Sequence, residues 1–332
     1  MFDEAARSDL EQAAGKPGTA RAGMARLTTI GCGGGAAFLL EADSPEQLAA
    51  ILEVAARFSL DRFVLGLGSN LLVADSGWDG LVIKLSGKLK DCHASVPGEV
   101  KNRQESKKRQ ESKNRQEAGG GQIECGGGAS LPRAATTAVD AGLSGLEPLA
   151  GIPGTIGGAV AMNAGAWGTS IAELIRRVEI SLPGEVRTLE REQLNFSYRQ
   201  AELPEGSVVS RVVLDLNTGD PEEIRAAAAD FRRRRAETQP TGERSCGSIF
   251  RNPETGSSAG ELLDRAGCKG LKHGAAAVSQ THANFIINEG GCSAADVIRL
   301  MDECRRRVHE KFGVILEPEV KFLGNISLKP LT

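Results

Sequence analysis

The chain has 332 residues, of which 40% are hydrophobic and 25% are charged, and its formal net charge at pH 7 is −3. At about 150 residues per domain this length predicts two or three domains, and the composition excludes fibrous, collagen-like and wholly disordered proteins. Because the chain lacks the basic excess of a nucleic-acid-binding domain, we expect no nucleic-acid partner.

The predicted elements of the N-terminal part form a small unit of helix and strands. Residues 1–22 are polar and rich in Ala and Gly, so we expect a loosely ordered leader, and they lack the apolar region of a signal peptide. Ser44 and Gln47 predict the capped start of a helix with one apolar face. Short apolar runs predict three strands, at residues 63–65, 71–73 and 81–85.

A six-residue repeat, KNRQES-KKRQES-KNRQEA, occupies residues 101–118. A period of six fits neither a helix nor a strand, and no apolar residue occurs before Ala118, so the repeat cannot bury a core surface. We therefore predict a disordered insertion at residues 99–120 that activity does not require. A tether to nucleic acid or to an acidic surface is the alternative interpretation.

From residue 122 onward, the chain alternates between predicted strands and helices, with a domain boundary near residue 220. The predicted strands are 122–125, 177–182, 186–189, 208–216, 284–287 and 314–322. The predicted helices are 131–141, 220–237, 259–266 and 293–312. A long glycine-rich loop is expected at residues 142–169.

The sequence argues against a dinucleotide-binding motif, a metal site, a disulfide framework and a membrane span. Gly31–Ala36 matches the loose spacing Gly-x-Gly-x-x-Ala, but a predicted strand follows it where a dinucleotide site needs the start of a helix. The four histidines lack metal-ligand spacing, so no metal site is predicted. Seven cysteines without a Cys-x-x-Cys pair fit the free thiols of a reduced cytoplasm. No run of about 18 apolar residues occurs, so we expect no membrane span.

Two glycine-rich segments are candidates for binding a phosphate or a flat ring. In Leu65–Asn70, glycines let successive main-chain N–H groups converge on an anion, although a plain β-turn is an equal alternative. Pro148–Gly168 contains six glycines among small or apolar side chains, so its main chain can closely approach a ring or a diphosphate. A structural turn is the alternative for this second segment.

Five motifs occur one after another along the chain. They are Gly66–Asn70, Gly151–Gly168, Asn195–Arg199, Cys246–Pro253 and Glu317–Val320. In this order they resemble the UDP-N-acetylenolpyruvoylglucosamine reductase (MurB) family, from about residue 24 to residue 325. The chain has a single tyrosine, Tyr198, and no aromatic-bearing insert between Ser248 and Glu319. In this it resembles the type II subgroup, which lacks the tyrosine-bearing loop that closes over the substrate in type I.

The resemblance implies an α+β protein with a two-subdomain FAD-binding fold of the PCMH (vanillyl-alcohol-oxidase-like) type and a C-terminal α+β substrate-binding domain. The implied parts are the leader 1–22, the FAD-binding subdomains 23–88 and 89–219, and the substrate-binding domain 220–332. FAD is the implied cofactor, held on the two glycine-rich segments. The cofactor-binding residues implied by motif match are Gly66, Gly68, Ser69, Asn70, Gly154, Thr155, Gly157, Gly158, Ala159, Asn163 and Gly165.

The resemblance also implies the NADPH-dependent reduction of UDP-N-acetyl-3-O-(1-carboxyvinyl)-glucosamine to UDP-N-acetylmuramate in peptidoglycan biosynthesis. Negative charge that develops at the substrate carboxylate needs a fixed cation, which Arg199 matches, and the adjacent carbon needs a proton donor, which Ser248 matches. Glu319 matches the family's C-terminal glutamate. Glu317 is its alternative, because it lies two residues earlier on the same predicted strand.

Further substrate-binding residues are predicted from the motif-matching stretches. The candidates are Arg235, Asn252, Lys269, Lys272 and Asn284. Arg235 ends the run Arg232–Arg235, whose alternative interpretation is a solvated basic helix end. We expect a cytoplasmic monomer whose partners are the UDP-sugar enolpyruvyl ether and NADPH, without a membrane partner. The alternative functions are another flavin oxidoreductase of the same superfamily and a non-catalytic nucleotide-sugar binding protein.

Overall fold

The structure is a computed structural model that describes residues 3–96, 120–254 and 256–331, and the six-residue repeat lies outside them. The helices of these residues are α1 (Glu4–Ala14), α2 (Pro45–Arg57), α3 (Leu131–Asp140), α4 (Ile156–Ala161), α5 (Pro221–Thr238), α6 (Ala259–Arg265) and α7 (Ala294–Phe312). Within the same residues, no helix combines the length and the apolar character that a membrane crossing needs.

Strands are more numerous than helices, and together they confirm the predicted α+β class. The strands are β1 (Thr19–Gly23), β2 (Gly35–Ala42), β3 (Arg62–Leu65), β4 (Leu71–Val73), β5 (Trp78–Leu85), β6 (Cys92–Ser95), β7 (Gly120–Gly126), β8 (Leu143–Ser144), β9 (Gly165–Ala166), β10 (Thr169–Ser170), β11 (Ile175–Leu182), β12 (Glu185–Glu190), β13 (Asn195–Ser197), β14 (Gln200–Glu202), β15 (Val208–Thr218), β16 (Ser245–Ser248), β17 (Lys272–His273), β18 (Ala276–Val278), β19 (Phe285–Asn288) and β20 (Lys321–Leu323).

The chain divides into two compact units, each assembled from separated stretches of sequence. The first unit comprises Met1–Glu41, Glu53–Lys84 and Arg233–Thr332, and the second comprises Ala42–Leu52 and Leu85–Arg232. The predicted division at residues 22, 88 and 219 follows the sequence rather than these units, and it stays a prediction.

The first unit contains a mixed sheet and an antiparallel sheet. The mixed sheet has the order β1-β2-β5-β3, and β20 pairs in parallel with β4. The antiparallel sheet has the order β16-β19-β18-β17. Leu263 of α6 and Leu300 of α7 share a buried cluster with Ile286 of β19, and this cluster also contains Ile30 and Leu72. The C-terminal residues therefore share a core with the N-terminal ones.

The second unit is built on an antiparallel sheet of order β12-β11-β15-β7-β6, with β8 added to β15. Burial alternates along β7, where Ile123 and Cys125 are buried and Glu124 faces outward. Leu131 of α3 and Val160 of α4 belong to the same buried cluster as Ile123. The glycine-rich segment that contains α4 is thus fixed on the buried face of this sheet.

The predicted loosely ordered leader is wrong, because residues 4–23 form α1 and β1. Ala6, Leu10 and Ala14 recur at every fourth position and are buried, so one face of α1 packs into the first unit. The carboxylate of Asp3 accepts the N–H of Ala5, and Gly15 ends the helix in the left-handed conformation. Burial of this stripe orders a segment whose composition is polar.

The predicted loop at residues 142–169 is wrong at residues 156–161, where the chain forms α4. The hydroxyl of Thr155 accepts the N–H of Gly158 at 3.2 Å. The N–H groups of Ile156 and Gly157 donate to the carbonyls of Ala129 and Gly127, both at 2.8 Å. Because glycine weakens local helix preference, these bonds to distant residues fix the helix, and a local pattern could not indicate it.

The predicted strand at residues 314–322 is confirmed only at its end, in β20. Pro318 cannot donate to a ladder, and it forms a single bridge with Phe250. Residues 314–320 are therefore irregular, and the strand alternation that placed Glu317 and Glu319 on one face does not apply. Glu317 is exposed, whereas Glu319 is half-buried.

Candidate active site

The segment Gly66–Asn70 forms the turn between β3 and β4 in the first unit. Gly68 has a φ of +66°, and a Cβ placed on it would overlap the carbonyl oxygen of Leu27. The N–H of Thr29 donates to the carbonyl of Gly68 at 3.1 Å. Both observations explain the glycine, which adopts this conformation without strain and allows the close approach of residues 27–29.

Ser248 is brought to this turn by β16, the edge strand of the antiparallel sheet. Gly247 has a φ of +75°, and a Cβ placed on it would lie 3.2 Å from the carbonyl oxygen of Ser69. Ser248 itself pairs with Phe285 of β19 and is half-buried. The predicted proton donor therefore lies next to the predicted cofactor turn.

Glu319 is held to both of these segments through its main chain. Its N–H donates to the carbonyl of Ile249, the residue after Ser248, at 2.9 Å. Its carbonyl accepts the side-chain amide of Asn70 at 3.2 Å. The first unit thus brings together the Gly66–Asn70 turn, Ser248 and Glu319. Along the sequence, Ser248 follows this turn by about 180 residues and Glu319 follows it by about 250.

Arg199 belongs to the second unit, at the tip of the hairpin formed by β13 and β14. It is half-buried, and its guanidinium lies 5.1 Å from the centroid of the Tyr198 ring. Its φ is +57°, in the left-handed region that residues other than glycine rarely adopt. Strained backbone of this kind is concentrated at functional sites, and it supports the choice of Arg199 as a candidate.

The segment Gly154–Gly165 has glycines at both buried and exposed positions. A Cβ on Gly157 would lie 2.9 Å from the carbonyl oxygen of Gly127, so this glycine permits close packing onto the sheet. Gly158 is exposed, and a Cβ there would contact only the hydroxyl of Thr155. This arrangement fits a flat or phosphorylated group that approaches the chain closely.

A buried hydroxyl beside the first turn also fits a polar ligand. The Oγ1 atom of Thr28 is buried and, among the residues with described positions, has no hydrogen-bond partner. Thr28 lies against Gly68, whose added Cβ would be 2.7 Å from the Thr28 Cα. Because an unsatisfied buried hydroxyl costs free energy, this position favours a bound group that accepts or donates there.

Two family models match this chain. A family model described as an FAD binding domain matches residues 36–189, and one described as the C-terminal domain of UDP-N-acetylenolpyruvoylglucosamine reductase matches residues 239–323. The reductase of that name from Paramagnetospirillum magneticum is 40% identical over 302 residues, which cover 91% of this chain and 90% of the relative. The corresponding protein of Bacillus subtilis is 38% identical and is covered to 92%.

This chain belongs to the UDP-N-acetylenolpyruvoylglucosamine reductase family. A crystal structure of the family member from Thermus caldophilus has a TM-score of 0.73 and 36% sequence identity, and it covers 92% of this chain and 98% of its own. The resemblance predicted from five motifs is therefore confirmed. So are the FAD-binding domain and, with it, FAD as the cofactor.

The substrate-binding residues predicted from the family motifs stay predictions, and most of them have partners within the first unit. Lys269 pairs with Asp264 at 2.8 Å, and Lys272 pairs with Glu289 at 2.6 Å. The Oδ1 atom of Asn252 accepts the N–H of Ala259. The remaining candidate on a helix is the half-buried Arg235 of α5.

Asn284 has a structural position in this family member. Its Oδ1 atom accepts the N–H of Phe250 at 3.0 Å, and its Nδ2 atom donates to the carbonyl of Phe250 at 2.8 Å. Both ends of the buried amide are used, so Asn284 fixes the segment that follows Ser248. Its predicted contact with substrate is not needed to explain the residue.

Two residues that no motif indicated form hydrogen bonds to a candidate residue or next to one of the motifs. Burial lowers the pKa of His282, with a smaller contribution from Lys269, and the Nδ1 atom of this ring accepts the N–H of Asn284. In the second unit, Arg191 donates to the carbonyls of Ala172 and Leu194, both at 3.0 Å. Neither residue occurs in one of the five motifs, so no motif indicated them.

Proposed function

We propose that this chain reduces the enolpyruvyl ether UDP-N-acetyl-3-O-(1-carboxyvinyl)-glucosamine to UDP-N-acetylmuramate, for peptidoglycan synthesis, with NADPH as electron donor. The observation that supports this most strongly is the pair of family matches, an FAD binding domain followed by the reductase's own C-terminal domain. An oxidase that shared only the flavin domain would lack the second match. We propose further that the protein acts as a cytoplasmic monomer with no membrane or nucleic-acid partner.

Two glycine-lined segments would hold the cofactor. The residues are Gly66, Gly68, Ser69 and Asn70 in the first unit, and Gly154, Thr155, Gly157, Gly158, Ala159, Asn163 and Gly165 in the second. The chemistry that bound FAD supplies is hydride transfer, from NADPH and then to the methylene carbon of the enolpyruvyl group. Everything else in the reaction depends on side chains of this chain.

Arg199 is proposed to bind the carboxylate of the substrate. When hydride adds to the methylene carbon, negative charge develops on the neighbouring carbon and spreads into its carboxylate. A guanidinium presents two parallel N–H donors to such a group, and guanidinium groups stay charged at physiological pH. The left-handed main chain of Arg199 costs conformational free energy, and such strain is concentrated at functional sites, which supports a functional role for this side chain.

Ser248 is proposed to donate the proton that completes the reaction, at the carbon next to the carboxylate. A hydroxyl is a weak acid, so it transfers its proton only to a strong base, and the developing enolate is one. Glu319 is proposed to polarise the same intermediate. Its main-chain N–H donates a hydrogen bond to the carbonyl of Ile249, the residue after Ser248.

The experiment that tests the function measures NADPH oxidation by the purified, FAD-supplied full-length chain, with and without the enolpyruvyl nucleotide sugar. We expect a yellow protein whose NADPH consumption depends on the sugar and matches the amount of lactyl ether formed. A protein that gains no flavin spectrum when FAD is added would instead be a nucleotide-sugar binding protein. Oxygen consumption with an alcohol and without NADPH would indicate an oxidase.

A further inference from the structure

Two asparagines of the glycine-rich segments donate hydrogen bonds to main-chain carbonyls in the segments that contain Glu319 and Arg199. Asn70 lies in the first turn and Asn163 follows α4, and the family resemblance assigns both to FAD. In each case the side-chain Nδ2 atom donates to a carbonyl on a segment that contains a proposed catalytic residue. The two bonds occur in different units, so they are two independent instances of one arrangement.

Asn70 holds the segment of Glu319 at two points. Its side-chain Nδ2 atom donates to the main-chain carbonyl of Glu319 at 3.2 Å. The main-chain carbonyl of Asn70 accepts the N–H of Lys321 at 3.1 Å. The parallel pairing of β20 with β4 begins only at Lys321 and Leu71. The amide of Asn70 therefore extends the pairing to Glu319, where the main chain is irregular.

Asn163 holds the hairpin of Arg199 in the same way. Its Nδ2 atom donates to the carbonyl of Ser197 at 3.0 Å, and its Oδ1 atom receives the N–H of Ala172 at 3.4 Å. Ser197 is the last paired residue before the turn that contains Arg199. Both Asn163 and Arg199 have positive φ angles, of 38° and 57°, so this bond links the strained position of Asn163 to the hairpin that contains the strained Arg199.

We propose that Asn70 and Asn163 are positioning residues, which hold the segments of Glu319 and Arg199 in place against the glycine-rich segments that bind the cofactor. This rests on the proposed function. The amide is the group required, because only its NH₂ donates to a carbonyl. An aspartate of the same size retains the acceptor and would turn a carboxylate oxygen toward that carbonyl, so the contact becomes repulsive.

The test compares Asn163→Asp and Asn70→Asp with Asn217→Asp, the same change at an exposed position of β15 that touches no proposed site. Three quantities are measured: the dissociation constant of FAD from the apoprotein, the rate of flavin reduction by NADPH, and the rate of flavin reoxidation by the enolpyruvyl sugar. We expect reoxidation to fall roughly 10- to 100-fold in the two site variants alone, by a larger factor than FAD binding or reduction by NADPH changes in either of them.

A double variant separates positioning from an independent contribution. If Asn163 acts through Arg199, then Asn163→Asp combined with Arg199→Ala reoxidises no more slowly than Arg199→Ala alone. Losses that multiply, or weaker FAD binding with unchanged reoxidation, would overturn the proposal and leave Asn163 as a cofactor ligand. Should Asn163→Asp fail to fold, Asn163→Gly, which suits the positive φ, is measured in the same way. Failure of the proposed function itself would be visible earlier, as wild-type protein that is not reoxidised by the sugar.

Discussion

Ser248 is the residue whose role can be isolated most cleanly, because a proton donor to the substrate acts only after NADPH has reduced the flavin. We predict that Ser248→Ala lowers the rate of flavin reoxidation by the substrate about 100- to 10,000-fold, the usual contribution of a positioned acid, while reduction by NADPH is unchanged. Rapid mixing followed by flavin absorbance measures each half-reaction. Reoxidation at the wild-type rate would exclude Ser248 as the donor.

Gly68 and Gly291 separate the cost of backbone conformation from the cost of a clash. Both have positive φ, of +66° and +77°, but a Cβ on Gly291 meets no atom within 4 Å, whereas one on Gly68 overlaps Leu27. We predict that Gly291→Ala lowers the free energy of unfolding by about 1–2 kcal/mol. Gly68→Ala should cost about 2–5 kcal/mol, because overpacking adds to the conformational cost.

Urea unfolding of the two glycine variants, with FAD present at one fixed concentration, measures this difference. If both substitutions cost the same, the approach of residues 27–29 to the turn does not require a glycine. The result also bears on the cofactor, since Gly68 lies against Thr28, whose buried hydroxyl has no hydrogen-bond partner among the described residues. Weaker FAD binding in Gly68→Ala than in Gly291→Ala would support their place in the cofactor segment.

At the scale of elements, α1 supplies a stability test of a segment that composition alone assigns to disorder. Leu10 is fully buried, whereas Gln12 is exposed on the opposite side of the same helix. We predict that Leu10→Ala lowers the free energy of unfolding by about 2–5 kcal/mol, the usual cost of truncating a buried leucine. The matched change Gln12→Ala should alter it by less than about 0.5 kcal/mol. Equal, small effects would mean that the leader does not contribute to the fold.

The elements that sequence predicted correctly are those with strong local signals. Ser293 caps α7 and exchanges hydrogen bonds with Asp296, and the buried stripe of α7 repeats at helical spacing, so its start was predicted to within one residue. By contrast, the signals of α1 were a single cap, Asp3, and a C-terminal Gly15 in a polar segment. α4 consists largely of glycine and small residues, and bonds to residues 127 and 129 fix it.

In the candidate site, too, local sequence signals predicted some features, whereas others depend on contacts between distant residues. Glycine motifs in order indicated the turn and the segment around α4, since glycine positions reflect close main-chain approach. No local pattern could indicate that Glu319 is bonded to Ile249 and Asn70, because these contacts join segments far apart in sequence. The amides of Asn70 and Asn163 were accordingly assigned to the cofactor, and only the structure reveals the carbonyls they bind.

For the molecule as a whole, both units have buried clusters among the residues that the structure describes, on either side of the six-residue repeat. In one unit these clusters include residues between 24 and 82 and between 246 and 323, and in the other they include residues between 123 and 228. The flanking strands β6 and β7 are paired from Cys92 with Cys125 to Ser95 with Gln122. Their register is therefore fixed by the sheet.

Deletion of residues 101–118 should accordingly leave the reductase intact. We predict that sugar-dependent NADPH oxidation stays within about twofold of wild type, because shortening a connection between two paired strands changes the loop-closure free energy only slightly. The deletion removes seven of 40 basic and three of 43 acidic residues, so the remaining chain is more acidic. Binding to heparin or RNA, measured at low and high salt, decides the alternative. If the full chain binds either polyanion and the deletion variant does not, the repeat is a tether rather than a dispensable insertion.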